Sequence, residues 1–241
     1  MPAARVGMAS AVVDGKIYIF GGDRSFYIGQ TDGVRTVQVY DPTNDSWDMQ
    51  KAYMPTARSS TSGCAINGII YVIGGVKPGG IASNEVESYD PTTDSWATKS
   101  PMPTARWALS TVVVDGKIYA MGGSIPHVTA LRTIEVYDPG IDIWKTQAFM
   151  PVSNGYFGAS VVEGIIYIMG GGSNPSTPSS RVFAYDPSVI AWSEKTTMPT
   201  ARFGLRTGVV NRKIYAIGGS PGWPPTPLST VEEYEPAIDQ N

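Results

Sequence analysis

The sequence has few of the residue types from which many enzyme active sites are built. It contains one cysteine, Cys64, and one histidine, His127. No internal disulfide can form, and neither can a metal site with several imidazole ligands from one chain. Cys64 lies in an apolar segment and is interpreted as a small core residue rather than a nucleophile. The composition therefore gives little support to metal-dependent or histidine-dependent catalysis.

Long hydrophobic runs and a strong charge of either sign are also lacking. No apolar stretch approaches the roughly 18 residues that a membrane-spanning helix needs. The chain carries 18 Lys and Arg against 21 Asp and Glu, a net charge of −3. This balance argues against nucleic acid or an anionic membrane as the main partner. No signal peptide is recognisable, because the first residues already belong to a repeated pattern, and the compartment stays unknown.

Glycine, by contrast, is abundant and regularly placed. Five Gly-Gly pairs are spaced by 53, 48, 48 and 48 residues, and each follows a tyrosine by three residues. A period of this length indicates repeated supersecondary units. The pairs are Gly21-Gly22, Gly74-Gly75, Gly122-Gly123, Gly170-Gly171 and Gly218-Gly219.

Each repeat predicts four short strands. In the first repeat, residues 10–13 are apolar and lead into Asp14-Gly15, a pair typical of tight hairpins. Residues 16–20 and 36–40 are rich in β-branched and aromatic side chains, and a fourth strand begins near Trp47. No window shows an apolar period of 3.6 residues over the length of a helix. The sequence predicts an all-β protein.

Further residues recur at fixed distances from the glycine pairs. A Met-Pro pair precedes each first glycine by 20 residues, and an arginine follows that proline by three residues in four of the five repeats. Tyr-Asp-Pro and a spaced tryptophan come later. These markers resemble the kelch repeat. The resemblance implies a kelch-type β-propeller with five blades of four antiparallel strands, in one domain with repeats at 1–53, 54–101, 102–149, 150–197 and 198–241.

The fifth repeat stops before its tryptophan, so the last blade is expected to lack its fourth strand within this chain. The four residues before Arg5 are too few to supply it. Three alternatives remain open: a three-stranded last blade, a strand supplied by another chain, or a longer propeller of which this chain is part. We favour a closed five-bladed ring. An unpaired edge would also make this blade a site for homo-oligomerisation.

Arginines at the start of each innermost strand are the first candidate binding residues. Arg5, Arg58, Arg106 and Arg202 should ring one mouth of the central channel, and Asn154 interrupts the ring in the fourth repeat. Guanidinium groups bind carboxylates through paired hydrogen bonds, which favours an acidic partner. The alternative is that these arginines bond backbone carbonyls or turn aspartates between blades.

Positions at which the repeats differ supply the other candidates, because the shared residues are explained by the fold. Aromatic residues beside the arginine position can supply apolar contact area. The segments after the Gly-Gly pairs also vary, and the one in the first repeat is the longest. His127 is interpreted either as an exposed loop residue or as a ligand contact. These candidates are Trp107, Tyr156, Phe203, Tyr27, His127 and Trp223.

Together these features predict a non-catalytic scaffold that presents an arginine- and aromatic-lined face to a protein or peptide, with no cofactor and no metal. One alternative is a carbohydrate-active enzyme similar to the kelch-fold sialic acid mutarotases, in which an arginine holds the sugar carboxylate and another group moves a proton. The proton-moving group would be a carboxylate or a histidine, but no glutamate can be placed at the channel mouth, because the glutamates fall on third strands. A self-assembling structural unit is the other alternative. The glutamates are Glu85, Glu87, Glu135, Glu232 and Glu233.

Overall fold

The structure is a computed structural model that describes residues 1–24, 33–126, 130–174 and 176–236. Its strands form four antiparallel sheets of four strands, one sheet of three strands and a small separate hairpin. The prediction of an all-β, five-bladed propeller whose last blade has three strands is confirmed. Among the described residues there is no helix, and so none that could cross a membrane.

The strands follow the repeat frame from the channel outward. Blade one contains β1 (Ala9–Val13), β2 (Lys16–Phe20), β3 (Val37–Asp41) and β4 (Ser46–Asp48). Blade two contains β5 (Ser62–Ile66), β6 (Ile69–Ile73), β9 (Val86–Asp90) and β10 (Ser95–Lys99), with a hairpin of β7 (Val76–Lys77) and β8 (Ile81–Ala82) inserted. Blade three contains β11 (Ser110–Val114), β12 (Lys117–Met121), β13 (Ile134–Asp138) and β14 (Ile143–Thr146).

The last two blades continue this order. Blade four contains β15 (Gly158–Val162), β16 (Ile165–Met169), β17 (Val182–Asp186) and β18 (Ala191–Lys195). Blade five contains β19 (Arg206–Val210), β20 (Lys213–Ile217) and β21 (Val231–Tyr234). In every blade consecutive strands pair antiparallel, and the first strand is innermost because it contacts the first strand of the next blade.

Tight hairpins join the first two strands, as the sequence predicts. Asp14 and Gly15 have φ of 48° and 72°, and Val13 pairs directly with Lys16 on the far side of the turn. Two successive residues of positive φ match the right-handed twist of the flanking strands. Asp115 and Gly116 repeat this geometry in blade three. These aspartates are therefore accounted for by the turn.

The hydrophobic core lies between blades. Tyr18, Phe20 and Val37 on one face of blade one pack in a single buried cluster with Met54 and Tyr89 of blade two. Equivalent clusters join the following blades. A blade exposes a face on each side, so its apolar residues become buried only when a neighbour covers them.

The Gly-Gly pairs lie where the next blade's backbone comes closest. A Cβ at Gly122 would lie 2.4 Å from the carbonyl oxygen of Asn154. Gly123 N donates a hydrogen bond to that same oxygen at 2.9 Å. Both glycines have positive φ, 56° and 96°, which other residues adopt at a cost. Each glycine pair thus leaves space for a carbonyl oxygen of the following blade and donates a hydrogen bond to it. We call this arrangement a glycine socket.

The repeated tyrosine, aspartate and tryptophan join the outer rims of neighbouring blades. Trp144 Nε1 donates to Ser100 O at 2.9 Å, and Asp142 Oδ1 accepts from Ser100 N at 2.9 Å. Tyr137 Oη donates to the same carboxylate at 2.5 Å. These hydrogen bonds lower the pKa of Asp142 below its ordinary value. The recurring rim residues are architectural.

The ring of blades is open at one point. The innermost strands contact one another in the order β1, β5, β11, β15 and β19, but the described strands β19 and β1 make no comparable contact. The expectation of a closed five-bladed ring is therefore not met between blade five and blade one.

Candidate functional site

The mouth of the central channel is built by the segments that enter the innermost strands. Backbone hydrogen bonds link these segments from blade to blade: Ala108 N to Ser60 O at 2.9 Å, Tyr156 N to Ala108 O at 3.0 Å, and Gly204 N to Tyr156 O at 2.7 Å. A cavity of about 320 Å³ lies within them and is lined by residues from all five blades. The mouth is thus rigid at the backbone and concave.

The predicted arginine ring is present, but its guanidinium groups are enclosed. Arg58 Nη2 lies 2.7 Å from Glu87 Oε2, and Arg58 Nη1 donates to the carbonyls of Gly74 and Glu85 at 2.7 and 2.9 Å. Arg106 pairs with Glu135, Nη1 to Oε2, at 3.0 Å, and Arg202 pairs with Glu232. All three arginines have no exposed surface. Bonding to backbone carbonyls, one of the two alternatives for these residues, is the geometry found.

Burial also explains the electrostatics of this ring. Desolvation lowers the pKa of Arg106, and the charge of Glu135 acts in the opposite direction. Each arginine and its glutamate share a blade, so the pair fastens the inner-strand segment to the third strand. A partner at the mouth cannot reach these donors without displacing the segment that covers them.

The arginine and the glutamate are both replaced in blade four, whereas blade one keeps the arginine and replaces only the glutamate. In blade four, Asn154 Nδ2 keeps the hydrogen bond to Gly170 O at 2.9 Å, and Phe183 occupies the glutamate position. In blade one, Arg5 donates to Gly21 O at 3.0 Å, and Gln38 takes the glutamate position. The glutamates were expected on third strands, and Glu87, Glu135, Glu232 and Glu233 lie there, whereas Glu85 directly precedes β9; the pairing with the arginines was not predicted. The joint replacement at positions 154 and 183 is the signal that could have revealed it.

Three of the predicted aromatic residues meet at the mouth. The rings of Tyr156 and Phe203 lie 6.1 Å apart in an edge-to-face arrangement, and Trp223, which is largely exposed, lines the same cavity. Burial raises the pKa of Tyr156, and a hydrogen bond from Trp107 acts against this rise. Trp107 is half-buried and does not line the cavity. Tyr27 and His127 lie outside the described residues.

Arg206 is the site residue that sequence reasoning missed. It begins β19, where the other four repeats have Ala9, Ser62, Ser110 and Gly158. Among the described residues it donates a hydrogen bond to Leu205 O at 3.3 Å and has no carboxylate partner in an ion pair. Arg206 is exposed to solvent. The neighbouring strands lower its pKa by desolvation, but the guanidinium stays charged. The sequence feature that could have revealed Arg206 is its charge, because the other repeats have a small residue at the first position of the innermost strand.

Hydroxyl groups line the channel below Arg206. Ser62 Oγ and Thr111 Oγ1 lie 2.8 Å apart, and Ser160 Oγ donates to Thr207 Oγ1 at 2.8 Å. A second cavity of about 170 Å³ lies among them, and Arg206 lines both this cavity and the mouth. The channel therefore combines an apolar rim, one cation and a polar interior.

Groups suited to catalysis or metal binding are scarce near the channel. Within the described ranges no group of three or more His, Cys, Asp or Glu side chains could hold a metal ion. Burial raises the pKa of Cys64 to about 12, so its thiol is almost entirely protonated at neutral pH. Glu87 and Glu135 are held in buried ion pairs. The geometry at the mouth suits binding by charge and shape.

Radially repeated four-stranded sheets with glycine sockets and buried arginines define a repeat β-propeller. The chain belongs to the kelch-repeat family. Residues 7–219 match the KLHDC2/KLHL20/DRC7 Kelch-repeats domain, and residues 201–240 match the Kelch motif.

Individual relatives share short stretches with this chain. Kelch-like protein 35 of Mus musculus is 37% identical over 79 residues, which is 32% of this chain and 14% of that protein. Beta-scruin of Limulus polyphemus is 29% identical over 107 residues, 42% of this chain and 11% of that protein. The chain thus matches only a small part of the length of these curated relatives. The solved structure of YjhT covers 91% of this chain, which in turn covers 74% of YjhT, with a TM-score of 0.77 and 18% identity. At this level of identity, the similarity to YjhT shows a shared fold.

Proposed function

We propose that this chain is a non-catalytic binding module that holds a protein or peptide at the channel mouth. The contact surface, here called the mouth face, consists of Val6, Tyr156, Phe203, Arg206 and Trp223. Membership of the kelch-repeat family, with Kelch-like proteins and scruins among the relatives, supports a protein-interaction or structural propeller.

Arg206 is the observation that carries the proposal. Arg206 is exposed and lines the cavity, so its charged guanidinium is within reach of an anion that enters the mouth. Its five N–H donors form a planar fork that fits a carboxylate. One hydrogen bond at 3.3 Å leaves most of these donors available. An acidic side chain entering the mouth would satisfy them.

The aromatic rim defines the rest of the partner. Tyr156, Phe203 and Trp223 offer rigid apolar area beside the cation, a combination enriched where binding energy is concentrated. The partner segment therefore carries an acidic residue next to an apolar one. The buried arginines Arg58, Arg106 and Arg202 support this surface from below by fixing the inner segments.

Replacing Arg206 by serine, the residue found in blades two and three, tests this function. Peptides selected for binding from a random displayed library should be enriched in Asp and Glu beside apolar residues. Arg206→Ser should weaken their binding at least about 10-fold, since a charge-assisted contact contributes about 1.5–3 kcal/mol. The melting temperature should stay the same, because serine is already accommodated at the equivalent positions.

Arg212→Ser is the matched control, since Arg212 is exposed on the far hairpin and pairs with Glu163. It removes the same charge and should leave peptide binding unchanged. Peptides that bind Arg206→Ser as tightly as the natural chain would refute the proposed site. Accelerated interconversion of sialic acid anomers, followed by nuclear magnetic resonance, would instead favour the carbohydrate-active alternative.

A further inference from the structure

Two departures from the repeat meet inside the channel. Arg206 occupies the first position of the innermost strand, which is a small residue in the other four blades. Thr61 of blade two lies one position before that strand, and the residues found there in the other blades are Met8, Leu109, Phe157 and Leu205. Residues shared by the repeats are explained by the fold, whereas a residue that differs calls for another reason. Blade five thus brings a charge into the channel, and blade two brings a hydroxyl.

Thr61 and Arg206 lie where the mouth cavity meets the interior cavity. Both residues line the cavity of about 320 Å³ at the mouth and also the cavity of about 170 Å³ below it. Leu109 and Phe157 line both cavities as well, and we call these four residues the channel junction. No aspartate or glutamate of the described chain lines either cavity. The channel junction therefore presents a positive charge and a hydroxyl beside two apolar side chains, with no negative group to balance the charge.

The hydroxyl of Thr61 has no hydrogen-bond partner among the described residues, although Thr61 is only 3% exposed. Its methyl carbon faces Gly75 of the same blade, so the hydroxyl is the polar group that Thr61 brings to the two cavities. Other hydroxyls in the channel pair with one another or donate to backbone carbonyls. An unsatisfied buried hydroxyl costs free energy, and a ligand that accepts its hydrogen bond removes this cost.

The placement of these two donors determines the shape of the ligand that fits between them. Arg206 enters the channel from blade five and Thr61 from blade two, and the inner strands of these blades are not neighbours in the ring. A ligand at the channel junction must therefore accept hydrogen bonds from two sides at once. The oxygens of a tetrahedral oxyanion point in several directions, whereas both oxygens of a carboxylate lie at one end of a planar group. The arrangement thus favours a tetrahedral anion.

We propose that the channel junction binds a small inorganic oxyanion of the phosphate or sulfate type. Arg206 balances the charge of the ion, and the Thr61 hydroxyl donates to one of its oxygens. The interior cavity, about 170 Å³, is smaller than the roughly 300–1,000 Å³ of pockets that hold drug-sized molecules, so it suits an ion. The site shares Arg206 with the mouth face but needs no peptide, so it can be tested on the chain alone.

Phosphorus nuclear magnetic resonance of inorganic phosphate measures this binding directly. Titration with the natural chain at constant ionic strength should shift or broaden the phosphate resonance until the site is saturated. Arg206→Ser should weaken binding at least about 10-fold, because it removes a charge-assisted contact. Arg212→Ser removes an exposed charge elsewhere and should bind phosphate like the natural chain. Acetate, which is planar, should displace phosphate only at concentrations at least about 10-fold higher than sulfate requires.

Thr61→Val distinguishes a ligand contact from a structural role of this residue. Valine has a similar shape and removes a hydroxyl that has no partner in the described chain, so the melting temperature should stay the same or rise. Phosphate binding should nevertheless weaken about 10-fold, because one hydrogen bond to the ion is lost. Thr98→Val, at an exposed position of the outer strand β10, is the matched control and should leave phosphate binding unchanged.

Four results would overturn the inference: a phosphate resonance unaffected by the natural chain, full affinity in Arg206→Ser, full affinity in Thr61→Val, or acetate competing as well as sulfate. None of them bears on the mouth face, since no peptide is present in these titrations. Conversely, phosphate binding that depends on Arg206 and Thr61 in a chain that selects no acidic peptides would support the oxyanion site and refute the peptide proposal alone.

Discussion

At the scale of single residues, the buried arginines show that a side chain repeated from blade to blade can have its ion-pair partner inside its own blade. Arg58, Arg106 and Arg202 recur because each neutralises a glutamate and satisfies carbonyls where the inner segment meets the third strand. Taking one charge of such a pair away leaves the other buried and uncompensated, which costs about 3–5 kcal/mol. Blade four avoids both charges by combining Asn154 with Phe183.

Transferring the blade-four combination to blade three tests this account. Arg106→Asn should lower the free energy of unfolding by about 3–5 kcal/mol, because Glu135 remains buried without its cation. Adding Glu135→Phe should recover most of that loss, since the double variant reproduces a pair the fold already accommodates. Urea unfolding of the natural chain, both single variants and the double variant measures the coupling.

The same variants also distinguish a structural role of these arginines from a role in contacting a partner. A role in partner contact predicts that Arg106→Asn weakens binding while the free energy of unfolding stays nearly the same. Independent, additive effects of the two substitutions would mean that the ion pair contributes little. The arginines could be predicted from the repeat frame, but their partners could not. Spacing along one strand does not reveal which third-strand side chain points toward them.

At the scale of the element, the Gly-Gly pair ends the second strand and receives the next blade. The period, the strand order and the hairpin turns were all predictable, because each depends on local residues. The function of each glycine depends on a carbonyl from the neighbouring blade. Gly122 and Gly218 have the same place in the repeat and similar φ, 56° and 63°, but only Gly122 has a close neighbour.

Alanine at these two positions should therefore give different stabilities. Gly218→Ala carries the cost of a left-handed backbone, about 1–2 kcal/mol. Gly122→Ala carries the same cost and also places its Cβ 2.4 Å from Asn154 O, so blades three and four must separate. We expect Gly122→Ala to melt at least about 8 °C below Gly218→Ala in thermal unfolding followed by circular dichroism. Equal melting temperatures would show that the inter-blade contact is not close in solution.

At the scale of the whole molecule, the propeller class could be predicted from the sequence, but the open ring could not. Five registered repeats specify five blades, and the truncated fifth repeat specifies a three-stranded last blade. Closure depends on whether blade five and blade one meet, and most residues of their facing sides carry the same pattern as residues that are buried. The exception is Glu233, which pairs with Lys213 and stands where the other blades have Val39, Ser88, Val136 and Ala184. Arg206 was missed for a related reason: its importance comes from facing a channel formed by all five blades.

An open ring predicts a gradient of local stability across the molecule. Strand β13 of blade three lies between β12 and β14 and is covered by the next blade, whereas β21 of blade five pairs only with β20 and is uncovered. Amides of β21 should exchange with deuterium at least about 100-fold faster than those of β13, because opening blade five exposes little additional buried surface. Hydrogen exchange followed by mass spectrometry resolves the two strands. Equal protection of both strands in the chain alone would mean that blades five and one cover each other in solution, and the ring is closed.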